Sequence, residues 1–122
     1  MDVLLLRDKI AEAGKSYAAS LNVDPTDDWI ILKTLEEAGE LVQSFLRYSA
    51  RARTRGLTAE ELKRALDDEI ADLLGFSLVL AKRFDVDLLR ALERKWHLPQ
   101  SSLLPEGSLL PEGSLLPEGS LR

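Results

Sequence analysis

The chain contains no cysteine, so neither a disulfide nor a thiolate metal site can form, as expected of a protein of the reducing cytoplasm. Histidine is almost missing too. The one copy, His97, sits beside Leu98-Pro99 with no partner in sequence and reads as a surface or packing residue. No apolar run approaches the roughly 18 residues that a membrane span requires. Met1-Asp2-Val3-Leu4-Leu5-Leu6 is cut short by Arg7 and Asp8, too soon for a signal peptide. Positive charge is also in deficit. A net charge of −5 argues against a nucleic-acid binder held by its overall field. No segment alternates with period two, so no sheet is expected.

What is present is helical periodicity. Val3, Leu6, Ile10, Ala13, Tyr17 and Leu21 recur in steps of three and four, predicting an amphipathic helix over about 3–21. Asn22-Val23-Asp24-Pro25 interrupts it, with Asp24 a candidate N-cap and Pro25 in the first turn of the next helix. That second helix carries Ile31, Leu35, Ala38, Val42 and Phe45 on one stripe and runs to about Arg53, with Gly56 as its stop. Thr58-x-x-Glu61 is a capping-box signature for a third helix over about 59–84. A short fourth follows over about 86–97 and stops before Pro99. The expected architecture is all-α and like a four-helix bundle. It forms one domain over 1–99, followed by an irregular tail over 100–122 in which Ser-Leu-Leu-Pro-Glu-Gly repeats from Ser102, Ser108 and Ser114. Pro-Glu-Gly is turn chemistry, and the tail is expected to aid stability rather than catalysis.

The most informative feature is a pair of acidic clusters, Glu36-Glu37-x-x-Glu40 and Glu69-x-x-Asp72, separated by 28 residues. Spacings of three and four place the carboxylates of each cluster on one side of a helical turn. Gathering them without cations is unfavourable, whereas hard divalent ions take oxygen ligands. On the second helix Glu36, Glu37 and Glu40 lie roughly opposite the Ile31–Leu35–Ala38–Val42 stripe, which taken alone reads as a solvated face. Glu69 lies at the margin of the third helix's apolar face, with Asp72 one step outside. An unpaired carboxylate there carries a desolvation cost of several kcal/mol. Spacing alone leaves both readings open.

Leu35-Glu36-Glu37-Ala38-Gly39-Glu40-Leu41 followed by Asp68-Glu69-Ile70-Ala71-Asp72-Leu73-Leu74 resembles the motif of the MazG-like all-α nucleoside triphosphate pyrophosphohydrolases. The segment Leu80-Ala81-Lys82-Arg83-Phe84-Asp85-Val86-Asp87-Leu88 resembles the stretch that follows it, and the likeness covers about residues 28–96. The resemblance implies a helical bundle that forms a homodimer or a dimer of dimers. It also implies Mg²⁺, with Mn²⁺ as a substitute, and cleavage of a nucleoside triphosphate to monophosphate and pyrophosphate in nucleotide-pool cleaning. By motif position, Glu37, Glu40, Glu69 and Asp72 match metal ligands, and Glu36 matches the extra glutamate that orients or deprotonates the attacking water or shares a metal. Lys95 matches a phosphate-binding lysine, while the asparagine that often follows it falls at about Pro99. Lys33, one turn before Glu37, is a further candidate for a phosphate. Trp29 and Trp96 read either as base-stacking residues or as seals on a small core. Arg51, Arg53 and Arg55 read as steering charges or as partners of a helix dipole. The competing reading is a non-catalytic helical assembly module with a structural ion.

Overall fold

A computed structural model describes residues 1–104. Among them the chain is all helical: α1 (Val3–Ser20), α2 (Asp27–Tyr48), α3 (Ala59–Arg83) and α4 (Leu88–Lys95), with no strand. The chain divides into two compact units, Met1–Val86 and Asp87–Arg122. Most of the repeat tail, residues 105–122, lies outside the described residues, and the expectation made of it there stays an expectation.

Each helix begins on a side-chain cap. The Asp2 carboxylate accepts from the Leu4 and Leu5 amides, both at 2.9 Å. Thr58 and Glu61 form the anticipated capping box, Glu61 N–H donating to Thr58 Oγ1 at 3.1 Å and Thr58 N–H to Glu61 Oε1 at 3.0 Å. The start of α2 differs from expectation. Thr26, not Asp24, is the cap and accepts from the Trp29 amide at 3.2 Å. Asp27 and Asp28 then occupy the first turn, where carboxylates favour the positive end of the helix dipole.

The helix ends share one device. After each last helical residue and its cap, the next residue turns left-handed: Asn22 (φ 55°), Ala50 (φ 61°), Asp85 (φ 50°) and His97 (φ 56°). The following amide reaches back to a carbonyl one turn inside: Val23 to Ala18 at 3.0 Å, Arg51 to Leu46 at 2.8 Å, Val86 to Ala81 at 2.9 Å and Leu98 to Glu93 at 2.8 Å. This is the Schellman closure, made here four times without glycine. It ends α2 at Tyr48, five residues before the expected Arg53. Gly56 (φ 77°) lies within the connection rather than at the helix end.

In the first unit α3 packs against both α1 and α2. The α1 contact is made by small residues. A Cβ on Gly14 would stand 3.2 Å from Val79 Cγ2, and one on Gly75 would stand 3.8 Å from Ile10 Cγ2. Buried Ala11 and Ala18 lie on the same side of α1, while Tyr17 and Leu21 of the expected stripe are exposed. Lys82 ties α3 to Asp8 at 3.0 Å. Helices α2 and α3 run antiparallel: Asp27 pairs with Arg83, Trp29 meets Phe76, and Glu37 meets Glu69. The buried line of α2 is Ile30, Glu37 and Ser44, one residue every seven. The anticipated apolar stripe points elsewhere, with Leu35 69% and Val42 56% exposed. At about 100° per residue Glu37 is directed about 120° away from Ile31, and that direction is the one turned toward the interior.

In the second unit Glu93, 7% exposed, grips the chain that follows α4. Its Oε1 accepts from the Ser101 amide at 3.0 Å and its Oε2 from the Leu103 amide at 3.1 Å.

Candidate metal centre

Two helices bring the acidic clusters together. Glu37 and Glu40 stand on one side of α2, and Glu69 stands on the facing side of α3. One carboxylate oxygen from each lies within 4.8 Å of the other two. At that separation each ionised pair repels by about 3.5 kcal/mol with an effective dielectric of about 20. Three charges therefore do not coexist there without a proton or a cation.

The electrostatics follow. Glu37 is 7% exposed, and its carboxyl is pushed up to about 7, first by burial and then by the negative charges of Glu40, Asp72 and Glu69. Burial, then Glu40, also raises Glu69 above the ordinary glutamate range. The Oε2 atoms of Glu37 and Glu69 are sealed from water and accept no hydrogen bond from any donor group among the described residues. The only relief within the chain is a proton shared between the two carboxyls. Buried carboxylate oxygens without partners are rare because each forfeits its hydration. Here two of them share a site with a third carboxylate. An all-oxygen donor set of this kind suits Mg²⁺, Mn²⁺ or Ca²⁺ and offers nothing to softer metals.

Of the ligands anticipated from sequence, Glu37, Glu40 and Glu69 converge. Asp72 is exposed and stands outside the close group, yet its charge is felt at both Glu37 and Glu69. Glu36 turns to the exposed side and pairs with Lys33, Nζ to Oε2 at 3.2 Å. Burial, the largest single influence, works against the charge on Lys33, but the hydrogen bond to Glu36 and the neighbouring Tyr17, Glu36 and Glu37 together outweigh it and raise its pKa. Lys95 belongs to the second unit, exposed in the last turn of α4, whereas the carboxylate group is built wholly within the first. Arg51 caps the Phe45 ring at 4.8 Å, which gives it a packing role at the end of α2. Trp96 is 73% exposed, so it seals no core. His97 supplies the left-handed turn after α4.

Sequence reasoning singled out Trp29 but not the aromatic group it forms with Tyr17 and Phe76 along the same helices. Trp29 lies between Tyr17 (6.4 Å between centroids) and Phe76 (6.5 Å, edge to face). Lys33 Nζ stands 6.0 Å from the Tyr17 centroid and 5.9 Å from that of Phe76. The signal was in the spacing. Trp29 is eight residues before Glu37 and Phe76 is seven after Glu69, so antiparallel helices bring both rings to one level. No protein-family model, curated protein or solved structure matches the chain.

Proposed function

We propose that this protein is a Mg²⁺-dependent nucleoside triphosphate pyrophosphohydrolase, converting (d)NTP to (d)NMP and pyrophosphate as a cytoplasmic cleaner of the nucleotide pool. The observation that carries the reading is the pair of unpartnered, water-sealed oxygens on Glu37 and Glu69 beside Glu40. The resemblance of both acidic motifs to the MazG-like enzymes supports it and selects the scissile bond. Glu37, Glu40 and Glu69 hold the ion, and Asp72 completes the set. Bound there, Mg²⁺ supplies charge neutralisation for the polyphosphate and Lewis acidity at its oxygens.

The chain's own residues do the rest. Two packed helices hold the carboxylates in position before substrate arrives, so little reorganisation is needed. Glu36 is exposed, outside the close group and paired with Lys33; when Lys33 turns to the phosphates, Glu36 is left to take a proton from water. The water oxygen bonds to the α-phosphorus, the bond from that phosphorus to the bridging oxygen breaks, and pyrophosphate leaves with the electron pair. Lys33, released from Glu36, meets the phosphate charge; Lys95 remains the phosphate-binding candidate that its motif position names.

Assembly belongs to the same proposal. Ile31, Leu32, Leu35, Val42 and Phe45 leave an apolar strip on α2 of the single chain, the kind of surface that marks an interface. A second copy covers it, giving a homodimer or a dimer of dimers of a four-helix-bundle-like chain. The same strip also favours the assembly-module reading, and turnover separates the two. The test is a dNTP panel digested with Mg²⁺, with pyrophosphate and orthophosphate measured separately. Pyrophosphate and monophosphate in equal amounts are expected. Diphosphate with free phosphate would mean another phosphohydrolase, and no turnover of any nucleotide would leave the assembly module.

A further inference from the structure

The segment that leaves α4 has the pattern of the tail that follows it. Leu98-Pro99-Gln100-Ser101-Ser102 aligns with Leu104-Pro105-Glu106-Gly107-Ser108, and the same five-residue pattern recurs from Leu110 and from Leu116. It reads as a divergent first copy, with serine where each later copy has glycine. In the structure this first copy forms a turn, the Ser102 amide donating to the Pro99 carbonyl at 3.1 Å. Its third residue, Ser101, holds φ 63°, the left-handed conformation that glycine adopts at least cost.

Glu93 holds that turn. Its buried carboxylate takes the amides on either side of Ser102, that of Ser101 at 3.0 Å and that of Leu103 at 3.1 Å. A carboxylate out of water needs donors of this kind. Both donors are backbone groups, so the grip reads spacing and backbone conformation rather than side-chain identity. Ser102 is exposed, while Leu103 and Leu104 are half-buried. The next copy supplies the same set: Gly107 and Leu109 as donors, Ser108 between them, and Leu110 in the place of Leu104.

We propose that Glu93 is a clasp for a Pro-x-Gly-Ser-Leu turn, and that Gly107-Ser108-Leu109 of the same chain exchanges with Ser101-Ser102-Leu103 as its occupant. Two opposing factors bring the two registers close to balance. The Cβ of Ser101 disfavours the clasped conformation. After the greater freedom of unclasped glycine is discounted, Gly107 holds an advantage of about 2- to 5-fold. Against it, the loop from Glu93 lengthens by one repeat, from 8 residues to about 14, a disadvantage of about twofold. Gly113 and Gly119 carry the same feature on longer loops and are seated less often. A neighbour's tail competes poorly. A short tether gives the chain's own copies an effective concentration of about 1 mM, on the order of 1000-fold above micromolar protein. Whichever copy is seated, the buried carboxylate keeps two donors.

The test is amide hydrogen exchange, followed by NMR on the ¹⁵N-labelled full chain at Leu103 and Leu109. In the native chain both amides should be protected, with Leu109 slowed about twofold from its free rate. Ser101→Gly should raise the protection of Leu103 by about 2- to 5-fold and return Leu109 toward its free rate. Leu103→Pro removes a donor from the first copy. Leu109 should then take its place, slowing by about 10-fold or more, while the Trp96 amide, bonded to the Leu92 carbonyl at the end of α4, is unchanged. Adding Glu93→Ala to Leu103→Pro should abolish the protection of Leu109. A free exchange rate at Leu109 in both the native chain and Leu103→Pro would overturn the proposal. Loss of Trp96 protection in Leu103→Pro would also overturn it, since the first copy would then have no substitute. Protection of Leu109 that rises with protein concentration would overturn the own-chain occupant and seat the tail of a second copy in the clasp.

Discussion

Ile30, Glu37 and Ser44 follow one another along the inner line of α2, while Ile31, Leu35, Val42 and Phe45 follow one another along an outer line of the same helix. By hydropathy the outer line is the one that should be buried. The inner line carries a glutamate at its middle and a serine at its end. A single chain thus places its polar residues where water is excluded and its apolar residues where water has access. Neither arrangement favours the isolated fold. Each is what a ligand on one side and a partner on the other would require, because both ligand and partner remove the penalty that the bare chain carries.

Breaking the inner line at its carboxylates has the largest expected effect. Glu40→Ala and Asp72→Ala should each lower Mg²⁺-dependent turnover by about 100-fold or more with helicity unchanged by circular dichroism, since ligand loss exceeds the about 10–100-fold typical of supporting residues. Unchanged turnover in both variants would sink the assignment of ligands.

Next comes the pH response of the metal-free chain. Glu37 titrates at about 7 in the folded state against 4.5 for the ordinary side chain, so the folded state holds this proton more tightly than the unfolded state does. Its contribution to stability is therefore fully present below about 4.5 and is lost as pH rises through about 7, on the order of 3 kcal/mol in all. Urea unfolding with EDTA at pH 5 and pH 8 measures it. Glu37→Gln should flatten the change, and Mg²⁺ should restore stability at pH 8 to the native chain but not to the variant.

A smaller effect is expected where both lines stop. Ala50 holds φ 61° at the end of α2, a conformation costly for any residue with a Cβ. Ala50→Gly should raise stability by about 0.5–1 kcal/mol, the relief at φ exceeding the added freedom of the unfolded chain. A loss of stability in urea titration would contradict the Schellman account of that end.

The outer line carries the smallest effect on the chain itself. Leu35 is 69% exposed, so Leu35→Glu should change the stability of the dilute monomer by less than about 0.5 kcal/mol. In concentrated protein the same change should convert dimer to monomer by sedimentation. A native chain that stays monomeric at micromolar concentration would leave the outer line without a partner.

The helices were readable from sequence because Ala, Leu, Glu, Lys and Arg dominate and the breaks are marked. Thr58 and Glu61 announced their capping box, whereas spacing alone left the acidic motifs open between a solvated face and a shared site. Of their residues Glu37, Glu40 and Glu69 come together, and Glu36 and Asp72 do not. The orientation of α2 was not readable. Hydropathy chose the Ile31–Leu35–Val42 side as interior, whereas α3 packs on the Ile30–Glu37 side, and no local rule weighs a stripe meant for another surface against one meant for the same chain. The end of α2 was missed for a related reason. Glycine is the usual mark of a left-handed stop, and Ala50 makes that turn without it. Glu93 also went unnoticed, because its value lies in the Ser101 and Leu103 amides, which only the fold brings to it.

The most direct test of the inner line is Mn²⁺ binding to the full chain at pH 8, read by the loss of the free-ion electron paramagnetic resonance signal. The account predicts saturable binding by the native chain, competition by Mg²⁺, and loss of binding in Glu37→Gln and Glu69→Gln. No binding by the native chain, or equal binding by both variants, would contradict it.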